Sequence, residues 1–220
     1  MQLSKLGITR KIIMTVKRTL SLSVFALMGV GITFAIAAEK VVGDPAKAES
    51  IVTEACAGCH GQDGNSPVPN FPKLAGQTAE YLLREMKEFK QEHRQSEVMA
   101  PFIATLTDQD MANLALYFAA QKPTPGEVTK PELLALGKKI YLEGNPDSGV
   151  PSCDGCHEED GAGSDQYPRV AGQNVEYTME QIKLYATHVR KNGKRVMRIV
   201  AERLTEKEAE AVAQYLASMK

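Results

Sequence analysis

Cys56, Cys59 and His60 stand in the order Cys-x-x-Cys-His, and 97 positions later Cys153, Cys156 and His157 repeat it. Two thiols at this spacing can each add across a vinyl group, and the histidine beside the second is placed to bind iron from one side. The pattern is the attachment signature of c-type haem. All four cysteines of the chain lie in the two motifs, so none is left for a structural disulfide. The expected cofactors are two covalently bound haem c groups, held by thioethers at Cys56, Cys59, Cys153 and Cys156. His60 and His157 are the expected proximal ligands.

What such an iron does depends on its opposite face: a methionine raises the reduction potential and fills the site, whereas an open position permits catalysis. An internal repeat narrows the candidates. Phe71-Pro72-Lys73-Leu74-Ala75-Gly76-Gln77 returns as Tyr167-Pro168-Arg169-Val170-Ala171-Gly172-Gln173, and Leu106-Thr107-Asp108 returns as Leu204-Thr205-Glu206. Of the methionines beyond the N-terminal segment (Met86, Met99, Met111, Met179, Met197 and Met219), two match across the repeat. Met99 and Met197 each stand seven residues before the repeated Leu-Thr pair. They are the expected second axial ligands, and the other four read as core filler. His93 and His188 compete as donors but are one place out of register. Pro72 and Pro168 stand where a backbone carbonyl could accept the other ring N–H of each histidine.

The elements that must carry these residues read as helices, and period-two alternation is scarce, so the expected fold class is all-α. Segments 46–56 and 131–142 lead toward the motifs. Segments 78–91 and 174–189 have helical apolar spacing, with Thr78 and Asn174 as expected N-caps. The final helices start at Thr107-x-x-Asp110 and Thr205-x-x-Glu208, capping-box patterns of which the glutamate version is the better match. Gln77 and Gln173 read as helix-entry residues. An eight-residue insertion falls in 142–152. The prolines and glycine of 121–126 cannot continue a helix. The expected organisation is a leader over 1–38, a first haem domain over 39–122, a linker over 123–130 and a second haem domain over 131–220.

The leader combines Lys5, Arg10, Lys11, Lys17 and Arg18 with an apolar run over 20–37 and a small-x-small pattern at Ala35-Ile36-Ala37. It reads as an export signal cleaved before Ala38 or Glu39, with an uncleaved anchor as the alternative. Either way the haem domains are expected in the periplasm. Without the leader the chain holds 21 Lys+Arg against 27 Asp+Glu. That balance argues against nucleic-acid binding and suits steering toward a basic partner surface. Arg190, Lys191, Lys194, Arg195 and Arg198 form a local exception around Met197, read as a docking rim or as a solvated loop offsetting propionates.

The two motifs, the Pro-x-(Leu/Val)-Ala-Gly-Gln stretches and the methionines ahead of Leu-Thr-(Asp/Glu) resemble the two-haem class I cytochromes of the cytochrome c-four family, over essentially the whole chain after the leader. The resemblance implies two cytochrome c folds related by a pseudo-twofold, with the haems near the domain interface. It implies His60 with Met99 at one iron and His157 with Met197 at the other. It also implies an electron shuttle, taking electrons from a quinol-oxidising complex and delivering them to a terminal respiratory oxidase. Departures are the long basic leader and the insertion before Cys153. Two alternatives stay open: a two-haem oxidoreductase enzyme, and a membrane-anchored electron-entry subunit associated with the periplasmic face of the membrane. A zinc site or a thiol–disulfide motif would explain the cysteines but not the histidine after each pair.

Overall fold

Helices in this chain begin at chemically marked residues. In the computed structural model, which describes residues 40–220, Thr107 Oγ1 accepts from Asp110 N at 3.1 Å and Asp110 Oδ2 accepts from Thr107 N at 2.9 Å. Thr205 and Glu208 make the same pair at 3.3 and 2.8 Å. The shorter aspartate therefore closes its box as well as the glutamate does, and the expected advantage of the second disappears. These boxes start the helices Asp108–Ala119 and Glu206–Ser218. The expected leader lies outside the described residues.

Thr78 caps Ala79–Lys90 by accepting from Tyr81 N at 3.3 Å. Asn174 precedes Val175–Ala186 but makes no cap bond, which corrects the expectation from its type and place. Its Nδ2 donates instead to the carbonyls of Val68 and Phe71 at 3.2 and 3.0 Å. Carbonyls facing it from the other half have drawn the amide away from its own helix.

The entries to the motifs differ. From Pro45 the chain turns through a 3₁₀ segment (Pro45–Ala48), an α-turn (Glu49–Ile51), a π-turn (Val52–Cys56) and Ala57–His60 without a break. In the second half Leu134–Glu143 stops at Gly144, and Asn145 pairs with Val150 in a tight antiparallel turn. The short helix Asp154–His157 follows. The insertion is that turn. No other β pairing occurs among the described residues.

Each half has its own small core. Val52, Leu82, Leu114 and Phe118 are buried in the first, and Ile140, Tyr141, Val212 and Leu216 in the second. Leu134–Glu143 crosses Glu206–Ser218 so closely that a Cβ on Gly137 would stand 2.0 Å from the Ala211 carbonyl oxygen. Cores this thin leave a half-domain marginal by itself, and an embedded apolar group supplies missing contact.

The segment between the halves is fastened down. Lys73 Nζ donates to the Thr124 and Pro125 carbonyls, both at 2.7 Å, and Gly126 N donates to Ala217 O at 2.8 Å. The described residues form one compact unit. No helix among them is long and apolar enough to cross a membrane.

Candidate haem centres

The motif helices end in buried histidines. His60 Nδ1 lies 2.9 Å from the Pro72 carbonyl oxygen, and His157 Nδ1 lies 2.9 Å from that of Pro168. A carbonyl only accepts, so each Nδ1 carries the proton and Nε2 is left unprotonated, with its lone pair free to bind a metal. Burial lowers the pKa of both imidazoles against the opposing pull of those carbonyls, which favours the neutral, metal-binding form. Phe71 and Tyr167 stand edge-on to the two rings, with centroids 6.2 and 6.3 Å away.

The four cysteines are half-buried and unbridged. Burial, with Cys59 beside it, pushes the Cys56 thiol up to about 11. Burial, Asp154 and Cys156 push Cys153 up to about 12. Thiol–disulfide catalysts need the opposite, a depressed thiol pKa. No cluster of three or more His, Cys, Asp or Glu side chains among the described residues is arranged to hold a metal ion, so the two pairs do not assemble a four-sulfur site.

Both motifs open onto one continuous cavity of about 1340 Å³, whose wall includes Cys56, His60 and Met99 from the first half and Cys153, His157 and Met197 from the second. Its volume exceeds the roughly 300–1,000 Å³ of an ordinary small-molecule pocket. Cys156 is also in the wall, and Cys59 is not. Leu82, Phe89 and Ile103 line one end, with Val200, Leu204 and Leu216 at the other, as a porphyrin face requires. The same wall contains Arg169, whose Nε is buried with no hydrogen-bond partner, a cationic donor suited to a propionate. On shape, polarity and donor set, the residues fit two haems.

The repeat-matched methionines reach the cavity from different local structures. Met99 is the residue before Ala100–Ala104, whereas Met197 lies inside the longer helix Lys194–Arg203. Met86 touches the cavity too, but packs on the first core. Met111 is fully buried, and Met179 and Met219 pack in the second half. The competing histidines are on the surface, outside the cavity wall. His93 Nδ1 sits 3.7 Å from Glu88, and His188 Nε2 sits 2.5 Å from Glu202.

Several residues that position the site were not recognised from their types. Gln77 accepts from Arg169 N at 2.8 Å and donates to Arg169 O at 2.9 Å. Gln173 does the same to Lys73 at 2.8 and 3.1 Å. They are cross-half clamps, each gripping the residue after the histidine-binding proline, and not merely helix-entry residues. The basic run around Met197 is likewise not one surface. Lys191 and Arg195 are exposed, but Arg190 is buried between the halves, where Nη2 donates to Tyr81 Oη at 3.0 Å and Glu85 Oε2 at 2.9 Å. Arg94 Nη1 donates to the same carboxylate oxygen at 2.6 Å, and Asn192 Nδ2 at 2.9 Å. Burial alone would push the Glu85 carboxyl up; Arg190, Arg94 and the Asn192 amide reverse that and hold it below the usual range.

A helical unit written twice, with a tethered histidine and a methionine at each end of one apolar cavity, defines a two-centre protein of the c-type haem class. The Cytochrome c family model matches the chain twice, over residues 45–122 and 134–220. Cytochrome c4 of Thiocapsa roseopersicina is 43% identical over 184 residues, covering 82% of this chain and 95% of its own. The crystal structure of reduced recombinant cytochrome c4 from Pseudomonas stutzeri superposes with a TM-score of 0.76 at 35% identity, covering 81% of this chain and 100% of that one. The thiosulfate dehydrogenase electron acceptor of Thiomonas intermedia is 31% identical over 173 residues, covering 74% of this chain and 77% of its own. The chain belongs to the cytochrome c4 family. It is an electron-transfer protein rather than an enzyme, carries two covalent haem c groups and works with redox-partner proteins.

Proposed function

We propose that Cys56, Cys59, Cys153 and Cys156 carry the thioethers, that His60 and Met99 hold the first iron, and that His157 and Met197 hold the second. In this reading the chain shuttles electrons in a respiratory chain, from a quinol-oxidising complex to a terminal oxidase. It works in the periplasm after export by the segment over 1–38, as a soluble carrier or in association with the periplasmic face of the membrane. The observation that supports it most is the matched set in both halves: a buried histidine tied by Nδ1 to a proline carbonyl at 2.9 Å, and a repeat-matched methionine in the wall of the same cavity.

Each haem supplies a one-electron redox change at iron. The polypeptide keeps the cost of that change low. Pro72 and Pro168 hold the imidazoles in one orientation, so the ring has no tumbling to undo when charge changes. The methionine sulfurs favour the reduced state and close the coordination sphere against substrate. The apolar wall excludes water and its reorganisation. A second reading of the partner rests on the likeness to the Thiomonas intermedia acceptor: the donor is a periplasmic sulfur-oxidising dehydrogenase.

Optical and EPR spectra of the oxidised protein test the ligands. Wild type should be low-spin at both irons with a near-infrared sulfur-to-iron band. Met99→Ala and Met197→Ala should each remove about half of that band, as expected for two independent methionine ligands. High-spin or bis-histidine signals in wild type would overturn the assignment.

A further inference from the structure

The side chains buried between the halves follow the repeat almost perfectly. Tyr81, Glu85 and Arg94 have their counterparts 96 positions on at Tyr177, Gln181 and Arg190. Arg94 Nη1 donates to Glu85 of its own half at 2.6 Å, and its Nη2 donates to Tyr177 and Gln181 of the other at 3.2 and 3.1 Å. Arg190 mirrors this: Nη1 donates to its own Gln181 at 2.8 Å, and Nη2 to Tyr81 and Glu85 at 3.0 and 2.9 Å. Every member of the clasp also lines the haem cavity. The pairs match in charge everywhere except at Glu85, where the second half has the neutral isostere Gln181.

We propose that Glu85 makes the two halves redox-inequivalent, holding the first half's centre at a lower reduction potential, relative to the second's, than glutamine at that position would. The inference deepens the two-haem reading and rests on it. The two arginines occupy mirrored positions and act alike on both ends of the cavity, so they do not separate them. Glu85 is unmatched. It projects from Ala79–Lys90, the helix whose Leu82 and Met86 pack in the first half's core. A fixed negative charge favours the more positive, oxidised iron, and the effect falls with distance. Glu85, Arg94 and Arg190 side chains are only 9%, 11% and 5% exposed, so water and salt screen the charge little. Another unmatched pair in the cavity wall, Arg84 and Glu180, would act in the opposite sense. Glu180 is exposed and the bonds Arg84 makes are solvent-facing, so that pair is screened. The bias concerns one electron, lost by the first half as the second gains it. No proton or further reactant is involved.

The test is a redox titration of the holoprotein, with the haem methyl signals of each half followed separately by NMR. Glu85→Gln should raise the first centre's potential relative to the second's. The mirrored double variant, Glu85→Gln with Gln181→Glu, keeps one carboxylate between two arginines, so it should fold even where the single variant is weakened. It should shift the gap in the same direction by about twice as much. A shift of up to about tenfold in the electron's distribution is expected, or about 59 mV for one electron. A gap unchanged in the folded double variant, or moved the opposite way, would overturn the proposal. Loss of the methionine band in wild type would instead overturn the ligand assignment, leaving the gap measurement still readable.

Discussion

In the first half the chain runs helically from Pro45 straight into the haem motif, whereas in the second the helix stops at Glu143 and a turn intervenes before Cys153. The methionines come from a five-residue helix start in one half and from inside a ten-residue helix in the other. Yet His60 and His157 end at the same 2.9 Å from a proline carbonyl, and Gln77 and Gln173 clamp the following residue from across the interface. The routes to the site vary freely while the tethers on the histidine do not. A ring held at Nδ1 needs its carbonyl in one place, and a clamp from the other half supplies that rigidity whatever path the backbone took.

The halves also differ in buried charge, where Glu85 pairs with both Arg94 and Arg190 and its counterpart Gln181 is neutral. Glu85 has a lowered pKa in the fold, so its ion pairs stabilise fully above the ordinary glutamate value of 4.5 and are lost as pH falls through the lower folded value. Glu85→Ala leaves two buried guanidiniums without their carboxylate and should cost about 3–5 kcal/mol at neutral pH. That cost should shrink as pH falls from 4.5 through the lower folded value. Gln181→Ala, which removes no charge, should cost less and show no such slope. Unfolding curves from pH 7 down to pH 3 check both. Parallel pH profiles for the two variants would mean that Glu85 is not the ionised partner.

The clamps should behave as equals. Gln77→Leu orphans the N–H and C=O of Arg169, and Gln173→Leu those of Lys73, at roughly 1–3 kcal/mol for each group left without a partner. Matched losses in denaturant midpoint are expected. A loss confined to one variant would show that the two clamps, though matched in geometry, are not matched in energy.

The candidate iron-site residues could be picked out from the sequence because attachment chemistry fixes a spacing within one half, and duplication turned that spacing into a filter for Met99 and Met197; the fold brings His60, Met99, His157 and Met197 to the wall of one cavity. The interface could not. A glutamine after Gly76 at a helix entry looks the same whether it meets solvent or another domain. Asn174 matches an N-cap by type, and only the carbonyls of Val68 and Phe71, more than a hundred residues earlier, show where its amide goes. Arg190 read as one cation in a basic run because its carboxylate partner is 105 positions away. Local pattern reports what a residue can do within its own element, and an interface is defined by what the other half presents.

The smallest expected effect lies where the two motif helices end. Gly61 leaves the first with φ 79 and ψ 151, and Glu158 leaves the second with φ 66 and ψ 157. A backbone in this region is nearly exclusive to glycine and costs other residues about 1–3 kcal/mol. The second half tolerates glutamate there while Tyr141 Oη donates to the Glu158 carbonyl at 2.5 Å, pinning the strained peptide. Glu158→Gly should relieve that strain, less the roughly 0.5–1 kcal/mol that glycine loses in chain entropy, for a net stabilisation of about 1 kcal/mol. Gly61→Ala should move the other way by about 1–3 kcal/mol, because it imposes that strain and sets a Cβ 3.0 Å from the Asn65 carbonyl oxygen. Denaturant midpoints of the holoprotein read both signs. If Glu158→Gly is destabilising, the glutamate side chain is doing something for the second centre that its backbone geometry does not reveal. A Tyr141→Phe cycle would then separate the two, since coupling between the positions should vanish once glycine has removed the need for the pin.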